Sequence, residues 1–208
     1  MTTRKSSETK KVELAKILHK IDALKFGVFK LTSGKVSPYY IDLRIVPSFP
    51  DAFRQICDFY GESITSQVGF KNFDRIAGVP IAGIPFASQI AYNLKKPFLY
   101  ARKGVRLHGR QRRVEGILVS GDSVLLVDDL VTTGLTLKKA AKAVTAEGGI
   151  VKEAVALLDR EEGGKEKLAK NGIQLHALLK ISEVANTLYE IGAIDEESLK
   201  TIMKQIKK

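Results

Sequence analysis

The sequence predicts an α/β fold, a parallel sheet flanked by helices. Two observations carry this. From residue 74 onward short apolar runs alternate with amphipathic stretches of helical spacing, the pattern of strand–helix–strand crossovers with helices on both faces of the sheet. One of those runs, residues 123–127, is almost wholly apolar rather than alternating, as a strand buried on both faces should be.

The elements follow in order. Residues 7–24 place Val12, Leu14, Ile17, Leu18, Ile21 and Leu24 at helical spacing. Residues 26–31 and 39–43 read as short strands on either side of a Ser-Gly-Lys turn at 33–35. Pro50 and Asp51 open a second helix carrying Phe53, Ile56, Phe59, Tyr60 and Ile64. A strand at 75–79 turns through 80–83 into a helix at 84–94, followed by a strand at 97–101 and a polar loop at 102–113. The strand at 123–127 leads to a helix at 135–147, stopped by Gly148 and Gly149. A strand at 150–158, a short helix at 165–171, a strand at 173–179 and helices at 184–191 and 196–206 complete the chain, with Asp195 as N-cap of the last. In open parallel sheets ligands bind beyond the carboxyl ends of the strands. That directs attention to the loops at 80–83, 102–113, 128–134 and 159–164.

Composition narrows the function classes. The 208 residues hold 34 Lys and Arg against 23 Asp and Glu, a net charge of +11. No apolar run approaches the ~20 residues of a membrane span, and the polar first residues hold no signal-peptide core, so an intracellular, cytoplasmic enzyme is expected. Cys57 is the only cysteine, which excludes a disulfide framework and a cysteine-based zinc site. The basic excess suits an anionic partner, either nucleic acid or a phosphorylated small molecule, or is solubilising charge.

The strongest motif is Ser123-Val-Leu-Leu-Val-Asp-Asp-Leu-Val-Thr-Thr-Gly134. An apolar strand runs into adjacent carboxylates, Asp128 and Asp129, whose like charges call for hydroxyls, a cation or water as partners. Thr132, Thr133 and Gly134 then open a helix, whose free N–H groups form an anion cradle. Taken alone, Thr132 would be an ordinary helix cap; the whole unit fits a sugar phosphate. Neither a P-loop nor a G-x-G-x-x-G fingerprint occurs. The loop at 102–113 holds six Lys or Arg, one histidine, two glycines and no acid. Its composition alone fits a solvated loop or a nucleic-acid patch; its position past a strand end fits closure over a multiply charged anion. Of the three histidines, His19 and His176 fall in a helix and an apolar strand and read as structural, whereas His108 lies in this loop. The turn at 79–85 brings Ala82 and Gly83 to a strand end, where a small residue lets a ligand approach the backbone; a plain strand-to-helix turn explains it equally well. Arg160 follows a strand end and offers a fork for a carboxylate, or else pairs on the surface with Glu161 or Glu162.

The 123–134 segment resembles the phosphoribosyl-pyrophosphate (PRPP) signature of the type I phosphoribosyltransferases. Phe29-Lys-Leu-Thr-Ser-Gly-Lys-Val-Ser-Pro-Tyr-Tyr-Ile-Asp-Leu-Arg44, Gly78-Val-Pro-Ile-Ala-Gly-Ile-Pro85 and Leu157-Leu-Asp-Arg-Glu-Glu-Gly163 are similar, more specifically, to orotate phosphoribosyltransferases. The resemblance covers about residues 24–190 and implies a type I phosphoribosyltransferase-like parallel sheet with a small N-terminal hood. The chain is then one domain over 1–208: hood about 1–45, core about 46–191, C-terminal helix 195–207. The implied activity is transfer of ribose 5-phosphate from PRPP to orotate with Mg²⁺ as cofactor, the metal being held mainly by PRPP and water.

By the same resemblance Asp128 and Asp129 hold the ribose hydroxyls. Leu130, Val131, Thr132, Thr133, Gly134, Leu135 and Thr136 surround the 5′-phosphate, and Ala82 and Gly83 face pyrophosphate. Arg102, Lys103, Arg106 and His108 act on the leaving pyrophosphate, with Lys103, Arg106, His108, Asp128 and Asp129 catalytic. Arg160 and Thr132 contact orotate, with Tyr39 and Tyr40 walling the base. Two positions depart from the family: Arg106 stands where many members have lysine, and Thr32 replaces a hood lysine, with Lys30 two residues earlier as the candidate substitute. A homodimer sharing the 102–113 loop across its interface is implied; a membrane or nucleic-acid partner is not. The competing readings are transfer to another base, such as a purine, and a PRPP-sensing nucleic-acid-binding regulator. Against the regulator, no helix-turn-helix segment precedes residue 24.

Overall fold

The computed structural model describes residues 2–30, 34, 36–102 and 113–206. The chain forms two compact units, Met1–Ile56 with Leu179–Lys208, and Cys57–Leu178. These cut the chain elsewhere than the sequence boundaries: the helix expected at 184–191 belongs with the N-terminal segment rather than with the core.

The larger unit is built on a six-stranded sheet. In chain order its elements are β3 (Arg75–Gly78), α3 (Gly83–Asn93), β4 (Phe98–Ala101), β5 (Val114–Glu115), β6 (Val124–Val131), α4 (Leu135–Ala146), β7 (Glu153–Asp159), α5 (Gly164–Ala169) and β8 (Gln174–Lys180). The spatial order is β5-β4-β3-β6-β7-β8. β4, β3, β6 and β7 run parallel, and β5 returns antiparallel to β4. β6 is central, and Val124 to Val127 are at most 2% exposed. α4 covers it with Leu137, Ala140, Ala141 and Val144, and α3 buries Phe86, Ala87 and Ile90. Small residues on these helix faces let backbones approach the sheet, and continuous burial on both strand faces explains the lack of alternation in 124–127.

The smaller unit contains α1 (Thr2–Lys20), a two-stranded antiparallel sheet of β1 (Leu24–Lys30) and β2 (Val36–Ile41), a 3₁₀ turn at Leu43–Ser48, α6 (Ile181–Glu190) and α7 (Glu196–Ile206). α1 packs on α6, and α7 on α6 and β2. α2 (Pro50–Ser63), within which the division at residues 56 and 57 falls, continues into a π-helical turn at Ile64–Val68.

The predicted caps hold. Ser198 N–H donates to Asp195 Oδ1 at 2.8 Å, and Gly148, at φ +91°, ends α4 with Gly149 N–H donating to the Val144 carbonyl. Other expectations need correction. The opening helix ends at Lys20, so that Leu24 begins β1, and the strand expected at 39–43 is Val36–Ile41. β6 does not stop at Val127 but runs on through both aspartates to Val131, because β7 continues to pair alongside it. α6 starts at Ile181 rather than 184, because the Glu183 carboxylate reaches back to the Lys180 N–H at 2.9 Å. β5 was not foreseen; two residues carry no periodicity.

His176 lies in β8 at 7% exposure, as a structural residue should: its Nε2 meets Glu153 Oε2 at 2.7 Å and its Nδ1 meets Gln67 Oε1 at 3.2 Å. Among the described residues no helix is long and apolar enough to cross a membrane.

Candidate active site

The carboxyl end of β6 is the centre of the site. Asp128 is 5% exposed and Asp129 half-buried. Asp128 Oδ1 accepts the Asp129 N–H at 3.0 Å, and the Tyr60 hydroxyl donates to the Asp128 carbonyl at 2.7 Å. Burial first, then the charge of Asp129 and a side-chain hydrogen bond to it, push the Asp128 carboxyl well above the usual range. Burial and the neighbouring carboxylate thus both oppose ionisation of Asp128.

The turn after β3 lies against this pair. It holds a cis peptide between Pro80 and Ile81 and enters α3 at Gly83. Val79 N–H donates to the Val127 carbonyl at 3.0 Å. A methyl at Gly83 would stand 2.7 Å from the Val127 carbonyl oxygen and 2.9 Å from Asp128 Cα. Only glycine permits this approach, which brings the exposed edge of the turn, including half-buried Ala82, beside Asp128.

Downstream of the acids, Leu130 and Val131 finish the strand, Thr132 is half-buried and Thr133 exposed. Gly134 takes φ +72° and starts α4 with no side-chain cap. Its carbonyl accepts the Lys138 N–H at 3.0 Å, closing the first turn. The N–H groups of Leu135, Thr136 and Leu137 thus precede any intrahelical partner and face outward as an anion cradle. The cradle rests on a residue that sequence reasoning passed over. A methyl at Gly164 would stand 2.5 Å from the Thr132 carbonyl oxygen and 2.6 Å from Val131 Cγ1. The Gly163-Gly164 pair was the available signal.

Arg160 enters the same assembly through its backbone, donating N–H to the Val131 carbonyl at 2.9 Å. Its side chain is largely buried, with Nε 2.9 Å from Glu162 Oε1. The turn beyond is held by Asp159 Oδ1, which accepts the Glu161 N–H at 2.8 Å while Glu161 sits at φ +57°. The Arg160–Glu162 pair is therefore formed, and at a largely buried guanidinium.

The structure thus gathers Gly83, Asp128, Asp129, Thr132–Gly134 and Arg160 at one end of the sheet. Lys103, Arg106 and His108 lie outside the described residues. Arg102, at the near end of that segment, pairs through Nη1 with Glu115 Oε1, and its N–H donates to the Arg113 carbonyl at 2.9 Å. Glu147 Oε1 accepts the N–H groups of Arg113 and Val114 at 2.6 and 2.9 Å. Lys30, Tyr39 and Tyr40 belong to the smaller unit. Successive strand residues point to opposite faces, and the two tyrosines do so: Tyr39 is 2% exposed, whereas Tyr40 is 37% exposed, with Phe29 5.7 Å away and Arg44 Nη2 donating to its hydroxyl at 3.2 Å. One face cannot present both rings. Lys30 is exposed.

Set against known proteins, residues 50–185 match the phosphoribosyl transferase domain. An orotate phosphoribosyltransferase of Staphylothermus marinus is 43% identical over 193 residues, covering 93% of each chain. Among solved structures, the orotate phosphoribosyltransferase from Aeropyrum pernix superposes with a TM-score of 0.76 at 32% identity, covering 88% of this chain and 99% of that one. The UMP synthase of Leishmania donovani gives 0.83 at 33% identity, over 94% of this chain and 42% of its own.

Two outcomes are expected from this geometry. The folded state holds the Asp128 proton to higher pH than the unfolded chain does. Stability from this group is therefore complete below the ordinary aspartate range and falls as pH rises through the window above it. Asp128→Asn, which carries no charge at any pH, should match the wild type near pH 4. At pH 7 it should melt higher by roughly 2–4 °C, the shift of about 1 kcal/mol in a chain of this size; thermal melts across that range check it. Gly164→Ala should lower stability by roughly 1–3 kcal/mol through the clash with Thr132, read by denaturant titration.

Proposed function

We infer the reaction from kinship and site together: this chain belongs to the orotate phosphoribosyltransferase family. It transfers ribose 5-phosphate from PRPP to N1 of orotate, giving orotidine 5′-monophosphate and pyrophosphate, a step of pyrimidine biosynthesis. The observation that carries the reading is buried Asp128 beside half-buried Asp129, a few residues before an uncapped helix start. Carboxylates there suit ribose hydroxyls, and the helix start suits a phosphate.

As pyrophosphate departs, C1′ gains positive charge and the leaving oxygens negative charge. The protein must orient both and stabilise charge; little covalent work remains. Asp128 and Asp129 hold the ribose hydroxyls, and residues 132–136 hold the 5′-phosphate. Ala82 and Gly83 present backbone to pyrophosphate. Lys103, Arg106 and His108, with Arg102 at the base of their loop, supply positive charge to the leaving group; Arg106 is a permanent cation and not a proton donor. Arg160 and Thr132 orient orotate, whose carboxylate fits a guanidinium fork. Tyr40, the exposed ring of its pair, is the better wall for the base, with Lys30 on the neighbouring strand as the candidate for the hood lysine. Mg²⁺, held mainly by PRPP and water, would suit this site, where the hard oxygens of Asp128 and Asp129 stand beside the phosphate cradle. When bound it neutralises charge on pyrophosphate and ribose oxygens. Exposed Tyr92, Tyr100 and Ile117, on α3, on β4 and just after β5, offer apolar surface for the homodimer. A cytoplasmic location goes with this role.

Purified protein with orotate, PRPP and Mg²⁺ should consume orotate, followed by ultraviolet absorbance. The reaction should stop with EDTA or without PRPP, and adenine, hypoxanthine and uracil should not substitute. Turnover of a purine instead would keep the family and overturn the orotate reading. Arg160→Ala should raise the orotate KM by about tenfold to a hundredfold, the weight of a charge-assisted contact, with PRPP affinity by calorimetry unchanged. Equal loss for both substrates would remove Arg160 from the base site.

A further inference from the structure

We propose that Tyr60, on α2, is a positioning residue for the acid pair, its hydroxyl bonded to the backbone carbonyl of Asp128. This rests on the reading of Asp128 and Asp129 as PRPP ligands.

β6 pairs with β7 in a single register from Leu126↔Ala154 to Val131↔Asp159. The Tyr60 hydroxyl donates to the Asp128 carbonyl at 2.7 Å, and the Leu157 N–H of β7 reaches the same oxygen of Tyr60. A buried side chain of α2 thus holds the backbone from which the first acid emerges.

The tyrosine is held rigidly. It is fully buried, and its ring lies 5.8 Å from that of Phe86 in α3. On the other side, Gly83 fits against Asp128 with no room for a methyl group. The strand end is therefore fixed from both flanks, and with it the direction in which the two carboxyls leave the backbone.

The test is Tyr60→Phe, which removes the hydroxyl oxygen and its bond to the Asp128 carbonyl while keeping the ring. PRPP dissociation constants are measured by calorimetry with Mg²⁺, steady-state KM for PRPP and orotate by absorbance, and melting midpoints in parallel. The expected result is a rise of roughly tenfold to a hundredfold in the PRPP constants, the cost of a small misplacement of positioning groups. The orotate KM should move by less than about twofold, a split that uniform loss of folded protein does not produce. Phe86→Leu, which loosens the same packing but leaves the hydroxyl, should lower the melting midpoint and keep PRPP affinity. Unchanged PRPP affinity in Tyr60→Phe would overturn the proposal, as would equal loss of affinity in Phe86→Leu. A wild-type protein that binds no PRPP would overturn the underlying reading instead.

Discussion

A carboxyl buried at the end of the central strand is the constraint on which the site depends. Asp128 sits where four apolar residues have just crossed the core, and Asp129 stands beside it with the same charge. Desolvation and repulsion both oppose ionising the pair, and close backbone packing fixes where the two carboxyls stand. Hydroxyl donors are the kind of partner that relieves such a tension.

Rigidity comes from close approach rather than from many polar contacts. Gly83 against Asp128 and Gly164 against Thr132 are sites where a methyl would stand well inside contact distance. Each glycine lets one backbone segment lie directly on another, so the turn after β3, the acids, the cradle and the turn after β7 share walls. Sites assembled on strand ends in this way hold geometry better than sites on free loops. The uncapped start of α4 belongs to the same logic: Gly134 provides the left-handed turn but no side-chain oxygen, which leaves the helix amides to an incoming anion.

Much of this was legible in the sequence because the responsible signals are local. The apolar run 124–127, the adjacent aspartates, the Thr-Thr-Gly that follows and the glycine stop at 148 each declare their conformation within a few residues. What stayed hidden depends on contacts distant in the chain. Tyr60 looked like one more apolar position of an amphipathic helix; its hydroxyl matters only because residues 128 and 157 meet around it. Gly164 reads as half of a flexible pair until the Thr132 carbonyl is found against it. Strand β6 seemed to end at the first charge, since composition cannot tell that β7 continues to pair past it. The two tyrosines of β2 looked equivalent, and strand alternation separates them.

The Arg160–Glu162 pair shows why burial, more than pairing, decides what a charge does. On an open surface such a pair has little weight, and that was one sequence reading. Here the guanidinium is 8% exposed and its backbone is bonded to the strand end that carries the acids. Glu162 meets the Nε edge, so the charge is partly neutralised without turning the fork away from a planar partner. A cation held in this manner is desolvated before a carboxylate arrives, and little of the interaction is then lost to reordering the side chain. The acid pair is held against its own repulsion and Arg160 is held beside a partial counter-charge. Both ends of the site are thus fixed before substrate binds, the condition under which electrostatic stabilisation of a departing anion is strongest.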